Sequence, residues 1–284
     1  MNQPSSKIVL ITGCSSGIGY CVARGLQQKG YRVFATARKF ADVHRLRAEG
    51  LNSLILDLDD SESIKNCVTD ILQQTGGKID VLFNNGAYGL PGAIEDLTRD
   101  MLRAQLETNL LGTLELTNLV IPVMRKQGSG RIIQNSSILG FITLPYRGAY
   151  SISKYGLEGL SDALRLELEG SGIFVSLIEP GPVESAFRKN AFAAYKKYIN
   201  RDASSHRETY EKMERRLTKK GNVTRFTLPP EAVLEKVLHA IENPKPKIRY
   251  YVTFPTYLLA ILKRILSHRA LDRILLKVSR GENR

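Results

Sequence analysis

Ser137, Tyr150 and Lys154 are the residues of this chain whose types and spacing best suit chemistry at an oxygen atom. Ser137 follows an apolar run, 131–134, that reads as a buried strand. A loop carrying Gly140, Pro145 and Gly148 comes next, and a helical pattern begins near Tyr150. Tyr150 and Lys154 are four residues apart, so a helix stacks them on one face. A free phenol, with a pKa of about 10, is a poor base at neutral pH. A nearby ammonium favours phenolate, and each unit of lowering is worth about 1.4 kcal/mol. A serine hydroxyl beside the phenol can donate a hydrogen bond to a substrate oxygen. The trio therefore suits proton transfer at a carbonyl or alcohol. A Tyr-x-x-x-Lys pair alone is commonly surface decoration, so the rest of the chain must decide.

Elements that could position these groups alternate along the chain. Stretches 7–12, 31–36, 53–56, 79–83, 131–134, 173–178 and 249–253 read as strands, and 20–29, 150–168 and 230–241 as helices. Another helix starts among Asp59, Asp60 and Ser61, with Ser63 in its first turn. A long helical region, 99–127, is expected to break near Gly112 and Pro122. Strands alternating with helices require crossovers, hence a parallel sheet covered on both faces. The expected fold is a single α/β domain with a doubly wound parallel sheet of about seven strands. Residues 1–253 would form the catalytic domain, 184–228 a substrate-loop insertion, and 254–284 a basic amphipathic helical tail.

With 284 residues and 43% hydrophobic content, the chain can bury a substantial core. Cys14, Cys21 and Cys67 have no metal-ligand spacing and are odd in number, which suggests a reducing compartment and no metal site. The N-terminus reads as entering a strand within seven residues, so no signal peptide is expected, and no apolar run nears the ~20 residues of a membrane span. A cytoplasmic protein is expected. The net charge is +13, and from Lys245 to Arg284 ten Lys or Arg face only Asp272 and Glu282. Such local excess marks a contact surface or tail rather than a uniform nucleic-acid face.

Gly13, Gly17 and Gly19 sit where the first strand turns into a helix. There, small residues let backbone approach a pyrophosphate, and the helix N-terminus is partly positive. The spacing Gly-x-x-x-Gly-x-Gly differs from the commonest dinucleotide fingerprint. Together, Thr12-Gly-Cys-Ser-Ser-Gly-Ile-Gly19, Asn84-Asn-Gly-Ala87, Asn109, Ser137, Tyr150-x-x-x-Lys154 and Pro180-Gly181 resemble the short-chain dehydrogenase/reductase family. The resemblance runs from Lys7 to about Tyr251 and implies a Rossmann-type fold. The chain is also similar to bacterial NADPH-linked aldehyde reductases of that family and to its 17β-hydroxysteroid and retinol dehydrogenase branch.

The resemblance implies a role for each matched residue. Tyr150 would be the acid/base, and Lys154 would bind the nicotinamide ribose and lower the Tyr150 pKa. Ser137 would polarise the carbonyl, and Asn109 would hold a water joining Lys154 to solvent. Gly13, Ser15, Ser16, Gly17, Ile18, Gly19, Asp57 and Asn85 would line the dinucleotide. Pro180, Gly181, Val183 and Ser185 would wrap the nicotinamide, with Asp57 at the adenine. The family usually has Asn-Asn-Ala-Gly where this chain has Gly86-Ala87 last. If the final position needs a positive φ, Ala87 is strained by about 1–2 kcal/mol.

The second strand ends Ala37-Arg38-Lys39, with no acid to accept bonds from a free ribose. Arg38 suits a 2′-phosphate, so the expected cofactor is NADP(H). Aromatics in 184–228 (Phe187, Phe192, Tyr195, Tyr198, Tyr210 and Phe226) suggest an apolar flap and a lipophilic carbonyl or alcohol, rather than nucleic acid. The tail divides near Ser267-His268-Arg269 into two apolar stripes about half a turn apart. It either caps the core or a subunit partner, or makes a peripheral contact with the inner membrane face. A homo-oligomer, dimer or tetramer, is expected. The expected activity is NADPH-dependent reduction of an aldehyde or ketone, or the reverse. The alternative is a non-catalytic NADP(H) sensor on the same fold.

Overall fold

The computed structural model describes residues 6–282 except 220, 222 and 223, so the outermost residues of the expected domain and tail lie outside the described residues. Seven strands form one sheet: β1 Ile8–Ile11, β2 Arg32–Ala37, β3 Asn52–Ile55, β4 Val81–Asn84, β5 Gly130–Asn135, β6 Ile173–Glu179 and β7 Arg249–Tyr251. Their order is β3-β2-β1-β4-β5-β6-β7, with every pair parallel. Both faces are buried, and alternate β1 residues show it. Val9 and Ile11 join one apolar cluster, and Ile8 and Leu10 join the other.

Helices α1 Gly17–Gln28, α2 Phe40–Ala48 and α9 Glu231–Glu242 cover the first face through Val22, Leu26, Val43, Leu46, Val233 and Val237. Helices α3 Ser61–Thr75, α5 Gly112–Gln127 and α6 Gly148–Glu167 cover the second, through Ile64, Ile71, Leu116, Val120 and Leu164. Asp60 caps α3 by accepting from the backbone N–H of Glu62 and Ser63, one of the three expected starts.

Region 99–127 corrects the sequence reading. Helix α4, Arg99–Leu106, passes through a π-turn at Glu107–Leu111 into α5, which continues through Pro122. Leu116, Val120 and Met124 are fully buried around that proline, so packing outweighs the lost backbone bond, which costs about 3 kcal/mol. Helix α2 was not foreseen. Nine residues long, it turns only Val43 and Leu46 inward, too few to make a periodic stripe.

The insertion also folds: it contains α7 Phe187–Tyr198 and α8 Arg207–Thr218. Its ends are tied together, since Glu184 N donates to Leu228 O at 3.0 Å and Leu228 N to Pro182 O at 3.1 Å. The tail forms α10 Phe254–Ile265 and α11 His268–Glu282, divided where the sequence suggests. Among the described residues no helix is long and apolar enough to cross a membrane.

Candidate active site

Strand order reverses between β1 and β4, and open parallel sheets bind ligands beyond their C-terminal strand ends at such a point. Thr12 and Gly13 leave β1 there, and Asn84 and Asn85 leave β4. Thr12 Oγ1 accepts from the backbone N–H groups of Asn85, at 2.9 Å, and Gly86, at 2.7 Å. The Asn85 amide donates to Thr12 O at 3.0 Å and Gly13 O at 3.2 Å. These bonds seat the β4 loop against the glycine turn.

A Cβ on Gly19 would lie 2.3 Å from Gly13 O, so no other residue fits this packing. A Cβ on Gly17, whose φ is +58°, would meet the Ser185 Cβ at 2.8 Å. The 180–185 segment thus closes across the turn, bringing Ser185 to Gly17. Ser15, Ser16 and Ile18 share that turn. Ser16 is the N-cap of α1, yet its side chain makes no capping bond, and no acid occupies the first turn. The positive helix end is therefore open to an anion.

The dinucleotide's groups fit this turn: close backbone, an open helix end, and Arg38 exposed just past β2. Ala87 is free of the strain considered above, because Tyr146 (φ 63°) is the non-glycine described residue with positive φ. Asp57 holds a turn instead of standing free, accepting from Asp59 N at 3.2 Å. Arg45 was missed in the sequence because α2 was missed. Its guanidinium donates to Ser15 O at 2.6 Å.

Helix α6 carries Tyr150 and Lys154 on one face, as their spacing implies. Lys154 is buried, and its Nζ donates to Asn135 O at 2.7 Å. The Asn135 amide donates to Asn85 Oδ1 at 2.9 Å, so a chain of bonds joins the lysine to the glycine turn. Ser137 caps the turn Ile138–Gly140 by accepting from Leu139 N at 3.1 Å. Asn109 is buried in the π-turn, where its amide donates to Tyr88 O at 2.9 Å and Ser153 Oγ at 3.0 Å. The π-turn is what aims it there, as such turns do at many functional sites.

Burial pushes the Tyr150 phenol above its ordinary value, against a smaller lowering by its hydrogen bond with Ser137. Lys154 Nζ lies over the Tyr150 ring, 5.7 Å from its centroid. Burial also drives the Lys154 ammonium down to about 8, against the attraction of Glu158.

Glu158 belongs to a second cluster that the sequence reading did not find. Arg249 donates to Glu158, to Glu179 at 2.7 Å and to Asp162 at 2.9 Å, while Ser136 donates to Glu158. Burial first, and the Glu158 charge second, raise the Glu179 carboxyl. The signal was an acid four residues after Lys154, on the same helix face.

The insertion's aromatics do not form one flap. Tyr195 and Tyr210 are buried in the insertion's own core, and Phe226 stacks on Phe254 with centroids 5.5 Å apart. Phe187 alone among them rests on Tyr150, edge to face at 5.1 Å.

A doubly wound parallel sheet with a glycine turn at its switch point is a dinucleotide-binding architecture. Residues 7–196 match the family model described as short chain dehydrogenase. The chain is 41% identical to the uncharacterized oxidoreductase YbbO of Escherichia coli (strain K12), covering 95% of this chain and 94% of that one. It is 35% identical to 17-beta-hydroxysteroid dehydrogenase type 1 of Homo sapiens, over 87% of this chain and 77% of the relative. A short-chain dehydrogenase from Streptomyces avermitilis superposes with a TM-score of 0.75, at 27% identity and 99% coverage of both chains. The protein belongs to the short-chain dehydrogenase/reductase family, and solved short-chain dehydrogenases of this fold hold NAD, from Burkholderia phymatum, or NADP, from Burkholderia cenocepacia.

Proposed function

We propose that the protein is an NADPH-dependent reductase of a lipophilic aldehyde or ketone. The observation that carries this reading is the bonded chain from Lys154 through Asn135 and Asn85 to the glycine turn, with Tyr150 and Ser137 beside it. On this reading an ammonium, a phenol and a hydroxyl stand beside the bound dinucleotide.

A bound nicotinamide would supply or accept the hydride. Ser137 donates to the carbonyl oxygen and holds it near Tyr150. Tyr150 keeps its proton at neutral pH and so can give it to that oxygen as negative charge develops, which suits reduction. Lys154 has spent one of its three N–H donors on Asn135, leaving two for ribose hydroxyls. Gly13, Ser15, Ser16, Gly17, Ile18 and Gly19 hold the pyrophosphate, and Arg38 the 2′-phosphate. Asp57, Asn85, Pro180, Gly181, Val183 and Ser185 complete the cofactor's walls, and Asn109 braces the loop at Tyr88. Phe187 on one side and the apolar 138–144 loop on the other favour a lipophilic substrate.

Tyr150→Phe tests the reading. With NADPH and a panel of aldehydes and ketones, including steroids and retinal, turnover should fall by at least ~10²-fold, the usual scale for an acid/base group. NADPH binding should stay nearly unchanged. More than a tenth of the wild-type rate in the variant would remove Tyr150 from the reaction.

A further inference from the structure

Helix α10 has two apolar faces, one packed on the chain and the other largely exposed. Leu259 is buried, and with Leu262, Leu266 and the α11 residues Leu271 and Leu275 it packs on Leu139, Ile142, Leu144 and Tyr150. On the opposite side Phe254, Tyr257, Leu258, Ile261 and Ile265 are between 41% and 70% exposed. Phe254 and Tyr257 have ring neighbours at one end, in Phe226 and Tyr251, but Leu258, Ile261 and Ile265 form a bare stripe. Three large side chains aligned on one face exceed the scattered exposure of ordinary surfaces.

Helix α11 supplies the matching charge. Arg269, Arg273, Lys277 and Arg280 are all exposed, and their spacing puts them on one face. An exposed apolar stripe on one helix and a row of cations on the next are what an anionic lipid surface attracts. Neither helix is long and apolar enough to span a bilayer, so such a contact lies along the surface.

We infer that the α10–α11 hairpin docks on an anionic phospholipid surface through Leu258, Ile261 and Ile265, with the α11 cations at the headgroups. The inner side of the same hairpin walls Tyr150. Docking therefore places the catalytic cleft at the bilayer and admits a carbonyl dissolved there, a consequence that rests on the reductase reading.

The experiment uses the full chain, an Ile261→Glu/Ile265→Glu variant and an Arg269→Glu/Arg273→Glu variant. Each is sedimented with vesicles of phosphatidylcholine plus phosphatidylglycerol, and with phosphatidylcholine alone. The full chain should bind the anionic vesicles at low salt and release near ~1 M salt, where screening falls to ~3 Å. Both variants should bind at least tenfold less while keeping the wild-type melting temperature. With NADPH, the Ile variant should reduce a water-soluble aldehyde normally but a vesicle-dissolved long-chain aldehyde at least tenfold more slowly.

A full chain that stays in the supernatant, or an Ile variant that still binds, overturns the docking. So does an Ile variant whose main change in light scattering is a smaller oligomer, which assigns the stripe to a second copy. Equal slowing on both aldehydes overturns the delivery. Absence of turnover on every carbonyl defeats the reductase reading and leaves the vesicle result standing.

Discussion

On the floor of the cleft, Thr12 and Asn85 are joined to backbone carbonyls and amides, and Asn135 to the Asn85 side chain, by short neutral hydrogen bonds. The insertion is fastened differently. Tyr210 donates to Asp96 and accepts from Ala93 N at 2.9 Å, and Ser204 donates to Asp96 at 2.6 Å. His206 meets Glu95 on one ring nitrogen and the Tyr146 hydroxyl, at 3.2 Å, on the other. The bonds among Thr12, Asn85 and Asn135 involve no ionisable group, whereas the insertion hangs on carboxylates, with Asp96 held below its ordinary range. Those neutral bonds hold at any pH, and the insertion loses contacts when Asp96 takes up a proton.

The largest effect that would sharpen this contrast lies behind the floor, at Arg249. Arg249→Met strands Glu158 and Glu179 without their cation, and breaking a buried pair costs about 3–5 kcal/mol. At ~2–4 °C per kcal/mol, the thermal midpoint should fall by on the order of 10 °C. The sign with pH follows from the raised Glu179 carboxyl. A carboxyl raised in the folded state stabilises at low pH and loses that contribution as pH rises. The variant's deficit should therefore shrink from pH 8 to pH 5 in thermal melts. A deficit that does not vary with pH would mean the acids are not the cause.

Next in size is Arg38→Asp, which replaces an attraction to the 2′-phosphate with a repulsion. A charge-assisted contact is worth about 1.5–3 kcal/mol, so the ratio of NADPH to NADH efficiency should drop at least tenfold. An unmoved ratio would hand the phosphate to another cation, with Arg45 beside Ser15 the next to test.

Smallest is Tyr210→Phe, which leaves Ala93 N and Asp96 without the phenol while keeping the ring. One buried donor left unmet costs about 1–3 kcal/mol, confined here to the insertion. KM should rise severalfold with kcat and NADPH binding little changed. Burial raises the Asp96 carboxyl, but its bonds from Ser204 and Tyr210 outweigh this and hold it low. A lowered carboxyl stabilises above its ordinary range and loses that stabilisation as pH falls through the lowered value. The variant gives up part of it, so the KM defect should be greatest near neutrality and narrow in acid. A loss of NADPH affinity instead would show that floor and insertion are not separate.

Residue order alone determined the sheet and most of the helices that build the cleft. Strands buried on both faces are continuous apolar runs such as Ile8–Ile11, and glycines, prolines and caps such as Asp60 punctuate them. Tyr150 and Lys154 were legible because helical spacing is local, and the glycine turn because its neighbours in sequence are its neighbours in space. Short polar helices were not legible: α2, α7 and α8 are held by a few inward contacts made only after folding. Tertiary structure alone joined Arg249 to Glu158, 91 residues away, since no periodicity encodes such a pairing. It also decided that Tyr195 and Tyr210 fill the insertion's core while Phe187 reaches Tyr150. Aromatic residues look alike in a sequence, and only the direction of each side chain says which one meets the site. The tail followed the same rule: both of its apolar stripes were readable, but only folding divided the first, turning Leu262 and Leu266 inward beside Leu271 and Leu275 while Leu258, Ile261 and Ile265 stay exposed.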